Sequence, residues 1–169
     1  GTLFVGARRL AVPNGAPPGT YTGTAPITLR ERGTGNTIIA LLPIQAPIWQ
    51  PLAVTKLSDL SFGLGMVGDG PKMILPTDPT AAAVRVVGEP GATFTATIPA
   101  SINLNCGGCG GTAAQRRLTV TLSQSPANPV TLDATGAVQM GFGGTREAII
   151  VGKRQGLYTG SFTVTVAYN

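Results

Sequence analysis

The chain has 169 residues, of which 43% are hydrophobic and only 11% charged, with a net charge of +5. That length suits one domain with a sizeable core, and such apolar content argues against disorder. There is no histidine and there are only two cysteines, which excludes Ser-His-Asp and Cys-His nucleophilic systems, imidazole metal sites and a tetrahedral structural zinc site.

The 24 Gly and 14 Pro leave little room for long helices, because both are poor in helix interiors. No apolar stretch is long enough for a membrane-spanning helix. The longest, residues 38–54, is broken by Pro43, Pro47 and Pro51. The positive charge comes from few acids and sits in small groups: Arg8-Arg9, Arg30 and Arg32, Arg116-Arg117, and Lys153-Arg154. Without interleaved aromatics, these groups do not read as a nucleic-acid surface. The start at Gly1 and the Gly, Thr, Ala and Val bias lead us to expect a processed, secreted chain.

Along the chain, Leu3, Val5 and Ala7 alternate, and Leu10 and Val12 resume with shifted parity. A bulge near Arg8-Arg9 would restore one apolar face. Residues 19–24, Gly-Thr-Tyr-Thr-Gly-Thr, resemble residues 156–161, Gly-Leu-Tyr-Thr-Gly-Ser. Upstream, residues 4–8 resemble residues 142–146 once a one-residue gap is allowed. The first 30 residues therefore repeat the last 30, as a strand–turn–strand unit too small to fold alone. The polar, Gly-containing residues 30–36 read as a linker after it. In residues 36–42, Ile38, Ala40 and Leu42 share one face and Ile39 and Leu41 the other. Trp49, the single tryptophan, lies between Pro47 and Pro51. It is read as a core or interface anchor, or as a sugar-stacking platform.

Residues 80–83 are the one helix-like scrap, and they run into the strand-like 84–87. Period-two alternation with Thr on the outer face marks strands at residues 92–98, 118–123 and 162–168. Gly and Pro clusters at 88–91, 126–129, 133–136 and 141–144 are read as turns. Cys106 and Cys109 flank two glycines and are read as a structural disulfide or as free thiols. A redox pair would need a helix start and a lowered thiol pKa, and neither is visible. Tyr21 and Tyr158 occupy equivalent repeat positions, and each hydroxyl is expected to reach backbone at a strand start. The seven carboxylates, Glu31, Asp59, Asp69, Asp78, Glu89, Asp133 and Glu147, are dispersed, and most sit in turn-like sequence. They suggest neither a glycosidase pair nor a calcium loop. No catalytic residue, metal or cofactor is expected.

From residue 48 onward the sequence resembles secreted bacterial Ig-like domains of unknown function. These are related in pattern to spore-coat-U-like proteins and to pilins of the archaic chaperone–usher class. The resemblance rests on residues 51–63 (PLAVTKLSDLSFG), 87–94 (VGEPGATF) and 156–168 (GLYTGSFTVTVAY). It implies an all-β, Ig-like antiparallel β-sandwich with a structural role at a bacterial cell surface. It further implies subunits that self-assemble head-to-tail by β-strand complementation, with a periplasmic chaperone and outer-membrane assembly machinery as candidate partners. About 45 residues precede the point where such a domain usually begins. We therefore expect residues 1–36 to be an N-terminal extension and residues 37–169 the sandwich. The expected donor strand is Leu3, Val5, Ala7, Leu10 and Val12, with residues 36–42 as the competing donor. The alternatives are a secreted adhesin or carbohydrate-binding module and, last, an enzyme.

Overall fold

A computed structural model describes residues 6, 8, 11, 12 and 16–169. The described residues form eleven strands and no helix, as expected from the Gly, Pro and β-branched content. They divide into two compact units, Gly1–Gln50 and Pro51–Asn169.

The first unit is a long β-hairpin. Strands β1 (Gly19–Arg30) and β2 (Thr37–Ile48) pair antiparallel over their whole length, from Gly19 opposite Ile48 to Arg30 opposite Thr37. Residues 30–36, read above as a linker, instead close this hairpin. Glu31 N–H donates to Asn36 O at 2.8 Å and Gly35 N–H to Glu31 O at 3.2 Å. The Thr34 hydroxyl donates to the Glu31 carboxylate. Gly33 and Gly35 take φ values of 119° and 76°, which only glycine adopts cheaply. The unit boundary therefore falls after Gln50, and residues 37–48 belong with the hairpin rather than with the sandwich. Continuous backbone pairing with β1 holds them there.

The second unit is an antiparallel β-sandwich. One sheet has the order β3 (Ala53–Ser58), β5 (Ala82–Val87), β10 (Ala137–Arg146), β8 (Arg117–Ser125), β7 (Ser101–Asn105), with β4 (Lys72–Ile74) also on β10. The other has the order β11 (Thr165–Tyr168), β6 (Thr93–Thr97), β9 (Val130–Thr131). The alternating residues of β5, β6 and β10 meet between the sheets: Val84, Val86, Phe94, Ala96, Met140 and Phe142 are all buried. Phe162, Val164, Val166 and Tyr168 pack against this cluster from the last segment of the chain. The Phe162 ring meets Phe142 edge-on at 5.9 Å. The predicted phases at 92–98, 118–123 and 162–168 are those observed, although backbone pairing in the last run begins only at Thr165.

Two local readings are corrected. Ala82 and Ala83 are not helical but open β5, where Ala82 is buried opposite Phe142. Residues 141–144 are not a turn. They lie inside β10, between β8 on one side and β4 and β5 on the other. Their glycines serve close backbone approach rather than bending. A Cβ on Gly144 would lie 2.6 Å from Thr121 O, and Cβ atoms on Gly141 and Gly143 would overlap the Pro76 and Ile74 carbonyls.

Candidate assembly surface

The hairpin register sorts its side chains into two faces. Tyr21, Ala25, Ile27 and Leu29 of β1 stand beside Ala46, Leu42, Ala40 and Ile38 of β2, with Ile44 opposite Gly23. That face is wholly apolar. The opposite face mixes Thr20, Thr22, Thr24 and Thr28 with Pro43, Leu41 and Ile39. Much of the apolar face is exposed: Leu29 is 50% accessible, Ile38 68%, Ile44 42% and Leu42 38%, while Ala25 and Ile27 are half-buried. Covering one such side chain fully stabilises a structure by about 1.5–3 kcal/mol. An isolated two-stranded hairpin is also marginal in water. The residues 36–42 discussed above as a donor lie largely in β2, already paired to β1 through one edge. Leu3, Val5, Ala7 and Leu10 lie outside the described residues, and Val12 is half-buried and not in a strand. Trp49 follows β2 in the first unit and is 48% accessible.

In the sandwich, β6 is the strand whose two edges matter. β11 lies along one edge, with Thr165 opposite Thr97 and Tyr168 opposite Phe94. Along the other edge β9 covers only Thr93 and Phe94. Asn128 then continues as a surrogate strand: its Nδ2 donates to Ala96 O at 2.7 Å, and its Oδ1 accepts from Ala96 N–H at 2.9 Å. The last segment of the chain crosses between sheets. Thr159 exchanges both backbone hydrogen bonds with Asn105 of β7, and six residues later the chain joins β6.

At the crossing, the Cys106–Cys109 disulfide is formed, with a Cα–Cα distance of 5.4 Å. Gly156 lies against it, so that a Cβ there would be 2.5 Å from both sulfurs. The Tyr158 hydroxyl donates to Arg154 O at 2.8 Å or to Gln115 O at 3.0 Å. A disulfide of this kind fits an oxidising environment.

Four of the carboxylates have defined partners within the fold. Asp69 Oδ2 accepts from Met66 N–H at 2.8 Å, and Asp78 Oδ2 from Leu75 N–H at 2.7 Å. Asp133 Oδ1 accepts from the Thr135 hydroxyl and N–H and from Ala137 N–H. These bonds, that of the Thr135 side chain first, hold the Asp133 carboxyl below its usual range. Burial pushes Glu147 upward, but the Lys153 hydrogen bond, a backbone hydrogen bond from Thr119 and the charges of Lys153 and Arg117 outweigh it, leaving the group lowered. Among the described residues, no group of three or more Cys, Asp or Glu is placed to hold a metal ion. One surface depression is lined by Ser58, Pro76, Asp78 and Gln139, among others, and its carboxylate already accepts from Leu75.

Two basic residues behave differently from their sequence context. In the sequence Lys153 stands in a small basic group with Arg154, a pattern usual for solvated turn or edge charges. Its side chain is instead only 11% exposed, and Nζ donates to Glu147 Oε1 at 2.9 Å and to the carbonyls of Ala114 and Arg117. Arg146, which sequence reasoning did not single out, is 4% exposed and donates from Nη2 to Gly70 O at 3.1 Å. Its place at the end of the Gly-rich β10 was the available signal: the sequence puts an arginine on the inward phase of a central strand.

No curated protein and no solved structure matches the chain. Residues 65–168 match the model of a domain of unknown function, DUF4402. The match begins after β3 and runs to the end of β11, so it takes in the β6 edge and the sheet crossing and leaves out the hairpin. Since it spans more than half of the chain, the protein belongs to the DUF4402 family.

Proposed function

We propose that the protein is a structural, pilin-like subunit of an extracellular bacterial filament, assembled head-to-tail by β-strand complementation through its N-terminal unit. One observation carries this reading: a hairpin of two twelve-residue strands that exposes Leu29, Ile38, Leu42 and Ile44 on one apolar face and whose outer edges pair with no other strand among the described residues. Such edges are templates for strand addition, in which backbone hydrogen bonds give affinity and alternate side chains give specificity. A head-to-tail contact of this kind does not close on itself and so propagates. The resemblance of residues 51–63, 87–94 and 156–168 to spore-coat-U-like and pilin domains supports the same reading, as does a disulfide suited to an oxidising compartment. Cell-surface location, a periplasmic chaperone and outer-membrane assembly machinery follow from that resemblance.

Sizing and electron microscopy of the purified chain test this proposal. Filaments or a concentration-dependent ladder of oligomers are expected, weakened by Ile38→Lys with Leu42→Lys. Deleting residues 1–12 separates the two donor segments: assembly is lost if residues 3–12 donate and kept if the hairpin does. Discrete monomers at high concentration would overturn the reading.

A further inference from the structure

Strand β1 and the segment leading into β11 share more than sequence. Gly19 and Gly156 begin the two repeats with φ values of 147° and 152°. Two residues later, Tyr21 and Tyr158 each donate a hydrogen bond to the carbonyl four residues upstream, Pro17 at 3.0 Å and Arg154 at 2.8 Å. The same corner is thus built twice, 137 residues apart, in units with different surroundings. Continuing the alignment residue by residue sets Ala25, Ile27 and Leu29 on Phe162, Val164 and Val166. The latter three pack into the sandwich core, whereas the former three share the apolar face of the hairpin, where Ala25 and Ile27 are half-buried and Leu29 is exposed. Thr28 falls on Thr165, and Arg30 on Ala167, at positions exposed in both strands. Pro26 falls on Thr163, ahead of the paired stretch Thr165–Tyr168, where a missing N–H does not break the ladder.

We propose that β1 is a second copy of the domain's closing strand, and that its binding site is the β6 edge of another sandwich of this fold, in the lane that β11 fills here. The inference rests on the strand-assembly reading and names its segment and its lane. The partner is a second copy of this sandwich with its own last strand withdrawn. Copying the β11 register puts Thr28 opposite Thr97, Leu29 opposite Ala96 and Arg30 opposite Thr95 of that copy. Ala25, Ile27 and Leu29 would then enter its core. Among the described residues one edge of β1 is taken by β2 and no strand pairs with the other, so the hairpin would extend the three-stranded sheet through that second edge rather than compete with its own pairing. A one-residue slip would turn the Thr side chains inward, so the register is strongly specified.

Two experiments test the assignment. In the first, residues 19–30 replace residues 156–167 within the full chain. This graft is expected to melt cooperatively, with Tm within about 10 °C of the parent, and Tyr21→Phe within the grafted copy should lower it. A graft shifted by one residue (20–31) should lose the transition. Equal behaviour of the two grafts would overturn the proposal.

In the second, the acceptor is the full chain with Val164→Asp and Val166→Asp to expel its last strand, Thr95→Cys as a probe, and its own β1 silenced by Ile27→Asp and Leu29→Asp. The donor is the full chain carrying Arg30→Cys. A disulfide-linked heterodimer is expected, reduced at least tenfold when the donor also carries Ile27→Asp and Leu29→Asp. Equal cross-linking with and without those changes would overturn the proposal, and an acceptor that does not fold leaves the graft to decide. Filaments that persist while both experiments fail would sink this assignment and spare the assembly reading. A folding graft in a chain that stays monomeric would sink the assembly reading and the second copy as partner, and would keep only that β1 can fill the β11 lane.

Discussion

Lys153 Nζ lies 2.9 Å from Glu147 Oε1, with the lysine side chain 11% exposed and the glutamate 40%. The pair ties the segment after β10 to the chain leading into the last strand, and the same ammonium holds the carbonyls of Ala114 and Arg117. A partly buried cation with several acceptors is costly to strand, because each acceptor left behind loses its donor.

From this pair follows a pH dependence. The Glu147 pKa is lowered from its ordinary value of 4.5. Its contribution to stability is therefore complete above about pH 4.5 and disappears as pH falls through the lower folded value. Glu147→Gln should flatten the acid limb of a plot of Tm against pH and leave its shape above pH 6 unchanged. An acid limb as steep as that of the parent would refute the assignment.

Gly156 is predicted to be coupled to the disulfide. Gly156→Ala places a methyl group 2.5 Å from both sulfurs, and overpacking of this kind costs about 1–3 kcal/mol. In the background of Cys106→Ser with Cys109→Ser, the two oxygens can separate and the penalty should shrink. A double-mutant cycle by urea denaturation measures the difference.

The glycines of β10 should resist substitution more strongly. Gly143→Ala drives a Cβ into the Ile74 carbonyl and the Leu75–Pro76 backbone, which cannot yield as a flexible side chain would. A loss of about 3 kcal/mol, or failure to fold, is expected, with Gly107→Ala in the open disulfide loop as a nearly neutral control. Chemical denaturation of both variants reads this directly.

Asn128→Ala removes the surrogate strand along β6. It leaves Ala96 N–H and O without the Asn128 amide at 2.9 and 2.7 Å, at a cost of about 1–3 kcal/mol. Amide hydrogen exchange at Ala96 should accelerate more than at Val86, whose strand is paired by β3 and β10 on its two edges.

Much of this architecture could be read along the chain. Thr on one phase and Phe, Val or Ile on the other marked β6, β8 and the last strand with the correct inner face, because the side-chain period of a strand is two. Asp133 three residues before Gly136 and Asp69 beside Gly70 marked turns whose carboxylates now accept backbone N–H groups. The pairing of Cys106 with Cys109, and the Tyr21 and Tyr158 bonds to backbone, were legible because their partners lie within four residues.

What stayed hidden depends on residues far apart in sequence. Composition alone cannot tell a glycine that turns the chain from one that admits a neighbouring backbone. Residues 141–144 became the middle of a central strand only when Ile74, Pro76 and Thr121 were brought against them. The same holds for residues 30–36, which close a hairpin because residues 37–48 pair with β1 and not with the sandwich. By itself the sequence determined that this is an all-β chain without histidine chemistry, and that residues 19–24 resemble residues 156–161. The tertiary structure decided that the segment after residue 161 completes a core while β1 pairs in a hairpin that leaves Leu29 exposed, since burial depends on what the rest of the chain packs against each strand.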